Sequence, residues 1–200
     1  MRIVALASGS GSNLQTVIDA VVAGTLDVEI AAVGADHPGA GALARAAAAG
    51  LETFVVDFKE YADRAEWNHA LTATTAAYAP DYVLSSGFMR IAGEEFTTAF
   101  EGRYLNTHPA LLPAFPGAHG VRDALRYGVK VTGCTVHLAD AGVDTGPILA
   151  QAAVPVLDTD TEEALHERIK VQERQLLLTV LGELAAGRTP QDYVSRAPLA

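Results

Sequence analysis

Three stretches of the chain hold residue types that can do chemistry. The first is Ser8-Gly9-Ser10-Gly11-Ser12-Asn13, set between an apolar run and a helical pattern. Glycines let a backbone come close to an anion, and free amides at a helix start point toward it, so a phosphate is the natural guest. A dinucleotide fingerprint needs a third glycine where Leu14 stands, and a P-loop needs a lysine that this loop lacks. The alternative is a plain strand-to-helix turn capped by Ser12 or Asn13. The second stretch is Asn106-Thr107-His108 before Pro109. Side chains alternate along a strand, so Asn106 and His108 share a face. An amide donor beside an imidazole can hold a developing oxyanion, and the imidazole can exchange protons near neutral pH. Alternatively, the histidine merely satisfies backbone groups at a strand end. The third stretch places Asp140 and Asp144 among Gly142 and Gly146. Either these acids are turn residues, or one carboxylate reaches His108 and stabilises its charged form. Spacing alone does not choose.

The other candidates carry less. His119 and His137 flank these loops, where either could orient a loop by hydrogen bonds, while His37, His69 and His166 read as solvated. Glu162, Glu163, Glu167 and Glu173 read as the solvated face of a long helix. No histidine pair has the i, i+4 spacing of a helical metal site, and the single cysteine, Cys134, excludes a disulfide within the chain. No metal is expected.

Elements must position these loops. Apolar runs at Ile3 to Ala7, Val28 to Val33, Thr53 to Val56, Tyr82 to Ser85 and Tyr104 to His108 alternate with helical patterns. Two more strands are expected at Val131 to Leu138 and Ile148 to Val156, pairing antiparallel at one edge, followed by a long helix from Thr161 to Ala186. Such alternation predicts an α/β fold with a doubly wound, mostly parallel sheet, in one domain. Ligands in such sheets sit beyond the carboxyl ends of the strands, which nominates the loops at 8–13, 86–92, 108–120 and 139–147. The stretch from Arg188 shows no strong pattern, which leaves 1–187 as the domain and 188–200 as a tail.

Composition bounds the partners. The chain has 200 residues, half of them hydrophobic, and its 24 acids against 14 Lys and Arg give a net charge of −10. Nucleic acid needs a basic surface, so none is expected as a partner. The apolar run at Met1 to Ala7 is too short for a signal peptide, and no run approaches a membrane span. The expectation is a soluble cytoplasmic protein, monomer or homodimer, acting on small molecules.

Together the segments resemble the folate-dependent phosphoribosylglycinamide formyltransferases of purine synthesis. The carriers are Ser8 to Gln15, Gly87-Phe88-Met89-Arg90-Ile91, Leu105-Asn106-Thr107-His108-Pro109 through Pro113, and Phe115-Pro116-Gly117 with His119. Thr132 to His137 and Val143-Asp144-Thr145-Gly146-Pro147-Ile148 complete the series. The resemblance implies a Rossmann-like formyltransferase fold and transfer of a formyl group from 10-formyltetrahydrofolate, as co-substrate, to the amine of glycinamide ribonucleotide. It implies that Asn106 and a protonated His108 stabilise the tetrahedral oxyanion, with Asp144 holding His108 charged and helping to move the proton. It implies further that the backbone of Gly11, Ser12 and Asn13 takes the phosphate, and that Lys170 and Glu173 contact the ribose or glycinamide. The pterin would lie on Met89, Arg90, Ile91 and Ala92, Asn106 and the backbone of Asp140, Ala141, Gly142, Val143 and Asp144, and Arg64 would meet the glutamate tail. Both substrates are anionic, so attraction is expected to be local, from Arg64, Arg90 and Lys170. Ala92 stands where relatives often carry a larger aliphatic residue, which would loosen the pterin pocket. Formyltetrahydrofolate deformylase is the nearest rival, but such enzymes carry an added N-terminal domain, for which a first strand at residue 3 leaves no room. Methionyl-tRNA formyltransferase would need a tRNA-binding domain and a basic surface. A phosphate-binding module without catalysis would explain the first loop and leave Asn106, His108 and Asp144 without a joint purpose.

Overall fold

Ile3 to Ala7 are fully buried in a computed structural model that describes residues 1–194. A strand apolar on both faces belongs in the middle of a covered parallel sheet. There it lies, as β1 (Arg2–Leu6), parallel to both β2 (Glu29–Ala35) and β4 (Tyr82–Ser85), while β3 (Thr53–Val55) continues the sheet beyond β2. With β5 (Tyr104–His108), β6 (Val131–Leu138) and β7 (Ile148–Pro155), the seven strands run in the order β3-β2-β1-β4-β5-β6-β7. Strands β6 and β7 pair antiparallel, as their patterning predicts. The chain forms two compact units, Met1–Leu105 and the part that starts at Asn106.

In the first unit the strand order reverses beside β1, so the loops that leave β1 and β4 stand at a topological switch point. Helix α1 (Ser12–Val22) buries Leu14, Val17 and Ile18, and α2 (Gly41–Ala48) follows β2. A short 3-10 turn at Phe58–Glu60, not anticipated from the sequence, precedes α3 (Arg64–Ala77), whose Trp67 is buried with its indole N–H on the Val56 carbonyl. The short α4 (Glu94–Ala99) leads into β5.

The second unit sets α5 (Gly120–Tyr127) and the long α6 (Glu162–Ala185) around a core of Val121, Cys134, Val154, Leu165 and Ile169. One expectation fails on α6. Glu173 is only 5% exposed, not part of a solvated face, because it lies on the same stripe as the buried Ile169 and Leu177. A second concerns the tail: Pro190–Val194 forms a helix, α7. Asp192 accepts hydrogen bonds from the Thr189 amide and hydroxyl, and Tyr193 donates to Glu183, tying this turn to the end of α6. Among the described residues, no helix is long and apolar enough to cross a membrane.

Candidate active site

The carboxyl end of β5 carries a polar cluster. Asn106 and His108 face the same way, as alternation requires, and both meet the carboxylate of Asp144 from the loop after β6. His108 Nδ1 lies 3.3 Å from Asp144 Oδ2, and Asn106 Nδ2 lies 3.4 Å from Asp144 Oδ1. The spacing ambiguity between the two acids is thereby resolved. Asp140 instead closes a local turn, accepting from the Gly142 amide and the Thr145 hydroxyl at 3.0 and 2.7 Å. Asp144 adopts a left-handed backbone, φ 54°, a conformation a non-glycine residue holds only where its surroundings enforce it.

Both nitrogens of His108 face oxygen acceptors. Nε2 is 2.8 Å from the Phe115 carbonyl, and Nδ1 faces the Asp144 carboxylate. A neutral imidazole has one N–H and would leave a lone pair against an oxygen, whereas the imidazolium donates to both. The ring is 4% exposed, so water does not relieve such a mismatch. Gly120 makes the room: a Cβ there would stand 3.0 Å from His108 Nε2 and 3.1 Å from the Phe115 oxygen.

Asp144 is held ionised. Its carboxyl is lowered to about 2, first by hydrogen bonding to His137, then by the Gly117 amide and the nearby charges of His108 and His137, against an opposing cost of burial. The Gly117 contact, at 2.7 Å, is the shortest of these and does not depend on the protonation of a histidine. His137, set aside in the sequence as a loop-orienting residue, lies inside the cluster. Its Nδ1 lies 2.9 Å from the Leu138 carbonyl, and its Nε2 lies 3.1 Å from Asn106 Nδ2 and 3.5 Å from Asp144 Oδ1. The signal was present in the alternation of β6, where Thr135 and His137 share a face. Thr135 bridges the Ala110 carbonyl and the Leu112 amide, so that face also anchors the loop after β5.

In the first unit the Ser8–Asn13 loop is built on Gly11, the N-cap of α1, at φ 70° and with no side-chain cap. Ser12 and Asn13 are therefore the first helical residues and not caps, and the α1 N-terminus has no acidic residue in its first turn. Helix α2 braces the loop: Arg45, unremarked in the sequence, donates through Nε to the Ser10 carbonyl at 2.7 Å and through Nη1 to Gln15 at 3.0 Å. Neither partner is an anion, so this guanidinium keeps its charge beside the loop. The cations expected to attract substrate are differently engaged. Arg90 pairs with Asp36 at 3.0 Å, Lys170 of α6 with Glu167 at 2.6 Å, and Arg64 donates to the Ile91 carbonyl at 2.6 Å. Arg90 and Lys170 are thus partly neutralised by their own neighbours, while Arg64 retains its charge. Met89, Ile91 and Val143 are exposed and Ala92 is buried. Among the described residues, no group of three or more His, Cys, Asp or Glu could hold a metal ion.

Residues 1–181 match the formyl transferase family. The chain belongs to that family. It is 58% identical over 184 residues to the phosphoribosylglycinamide formyltransferase of Mycobacterium tuberculosis (strain H37Rv), covering 92% of this chain and 85% of that one. The Escherichia coli (strain K12) enzyme of the same name is 38% identical over 94% of this chain and 89% of its own length. Among solved structures, glycinamide ribonucleotide transformylase 1 from Symbiobacterium toebii superposes with a TM-score of 0.91 at 45% identity, covering 94% of this chain and 89% of that chain. The formyl transferase fold is thus shared over nearly all of the described chain, including each candidate site segment.

Proposed function

We propose that the protein transfers the formyl group of 10-formyltetrahydrofolate to the amine of 5'-phosphoribosylglycinamide, in the synthesis of purines. One observation carries this reading: a buried His108 with both ring nitrogens on acceptors, one of them an ionised Asp144, on a chain 58% identical to an enzyme of that name. The amine attacks the formyl carbon and generates a tetrahedral oxyanion. Asn106 and the His108 imidazolium are its donors. In the present arrangement both are engaged internally, so the oxyanion takes the place of two acceptors. It replaces the Phe115 carbonyl at His108 Nε2 and Asp144 at the long 3.4 Å contact with Asn106 Nδ2. Asp144 keeps Nδ1 and thereby the ring's charge. A proton leaves the attacking amine and one reaches the departing folate nitrogen, with Asp144 assisting the transfer.

The substrate residues follow the same reading. The amides at Gly11, Ser12 and Asn13 receive the phosphate, with Lys170 and the buried Glu173 on the ribose or glycinamide. Met89 to Ala92, Asn106 and the backbone of Asp140 to Asp144 receive the pterin, and Arg64 the glutamate tail. The domain is assigned to 1–187, with 188–200 as its tail. The enzyme is expected in the cytoplasm, as a monomer or homodimer, with no nucleic-acid or membrane partner and no metal. The test is folate product formation from 10-formyltetrahydrofolate with and without the ribonucleotide. Product only with the ribonucleotide supports transfer; equal product without it identifies a hydrolase.

A further inference from the structure

Side chains from elsewhere in the first unit hold the segment 88–93 at almost every residue. Phe88 stacks on Trp67, with ring centroids 6.3 Å apart and planes 12° from parallel. The Met89 amide donates to the Ser8 hydroxyl at 2.9 Å, and the Gly93 amide to Asn68 Oδ1 at 2.8 Å. The side chains of Met89 and Ile91 face outward, 71% and 54% exposed, with Arg90 partly exposed between them.

One member of this clamp is costly. Asp36, just beyond β2, is 3% exposed. Its Oδ2 accepts from Arg90 Nε at 3.0 Å, but its Oδ1 is buried with no hydrogen-bond partner. The His37 ring on that side has its Nε2 4.0 Å from Oδ1 and bonded to the Ser8 carbonyl at 2.9 Å. A buried carboxylate with one satisfied oxygen depends heavily on its single cation. That dependence fixes Arg90. Its guanidinium also lies 4.6 Å over the Phe58 ring, and Phe58 meets Trp67 edge-on at 5.4 Å. The chain of contacts Asp36–Arg90–Phe58–Trp67–Phe88 therefore grips the residues on both sides of Met89. It also partly neutralises Arg90 next to two exposed apolar side chains, a surface suited to an uncharged planar ring.

We propose that Asp36 is a positioning residue for the formyl donor: through Arg90 it fixes the 88–91 backbone on which the pterin rests. This deepens the functional reading above and rests on it. The experiment is a double-mutant cycle on the full chain, with tetrahydrofolate binding followed by calorimetry and ribonucleotide KM by kinetics. Asp36→Asn and Arg90→Met are each expected to weaken tetrahydrofolate about tenfold, the scale of a hydrogen bond to a charged group. The double variant should be no weaker than the worse single, because both act through one contact. Ribonucleotide KM should move less than about twofold, which a general loosening of the fold would not allow. Unchanged tetrahydrofolate affinity in Asp36→Asn, additive losses, or equal losses for both substrates overturn the proposal. If Asp36→Asn does not fold, Phe58→Leu removes the ring beneath the guanidinium and should weaken tetrahydrofolate several-fold; unchanged affinity again overturns it. Wild-type protein that fails to bind tetrahydrofolate defeats the functional reading itself. Wild-type binding with an unaffected Asp36→Asn defeats only the role of Asp36.

Discussion

Replacing Gly11 by alanine adds one methyl group at the tightest point of the Ser8–Asn13 loop. At φ 70° a side chain is strained by roughly 1–2 kcal/mol whatever the space around it. Here there is no space. The new Cβ would stand 2.7 Å from the Ala42 Cα and 2.8 Å from its Cβ, where ordinary contacts begin at 3.4 Å. Ala42 is fully buried on α2 and the nearest atom is backbone, so no flexible tip can yield. The loop must move by about 0.7 Å, the gap between the two distances. Displaced amides lose hydrogen bonds to a charged phosphate, worth about 2 kcal/mol, so ribonucleotide KM should rise by about thirtyfold. KM for the formyl donor, assigned chiefly to other loops, should rise by less than about threefold. Strain and overpacking together should remove about 2 kcal/mol of stability, lowering Tm by roughly 4–8 °C for a chain of this size. The assay is steady-state kinetics with each substrate varied in turn, beside a thermal melt. Equal KM increases for both substrates, or a loss of kcat with both KM values intact, would refute the loop's assignment to the phosphate.

Three further outcomes follow from the site and the core. His108→Ala should lose about 10²–10³ in turnover while donor binding by calorimetry is kept, and near-normal turnover would remove its oxyanion role. Asp144 is held at about 2, below the ordinary 3.8, so it contributes stability that is present above the ordinary value and lost as pH falls through about 2. Urea midpoints of the wild type should therefore fall more steeply than those of Asp144→Asn between about pH 4 and 2, by at most about 2 kcal/mol after solvent screening; parallel curves would contradict the ion-paired cluster. The Cys134 thiol is pushed up to about 12 by burial and by the charge of Glu173, so iodoacetamide at pH 8 should label it only after denaturation. Rapid labelling of the native protein would place Cys134 outside the core.

What the chain reveals on reading follows the range of the interactions involved. The apolar run at Ile3 to Ala7 suits a doubly buried strand, and the shared face of Asn106 and His108 follows from alternation along a strand; both are local facts. The choice between Asp140 and Asp144 is not local. It rests on a left-handed turn at Asp144 and on the Gly117 amide, which approaches from a different loop. The place of His137 is not local either, since its partners Asn106 and Asp144 lie on other segments. Carboxylates on a long helix usually face water, whereas Glu173 lies on the buried stripe of α6 with Ile169 and Leu177. The helix at Pro190 was within reach: Thr189, a proline in the first turn and Asp192 are a start signal that the short length obscured. The pairing of Arg90 with Asp36 was out of reach, as 54 positions separate the partners.

Formyl transfer is tested most directly by following the carbon itself. With 10-formyltetrahydrofolate labelled by ¹³C in the formyl group and 5'-phosphoribosylglycinamide as acceptor, NMR should show the label arriving in the formamide of the ribonucleotide, one equivalent for each tetrahydrofolate released. Label recovered as formate, with the ribonucleotide amine unchanged, would contradict the transfer and leave water as the nucleophile.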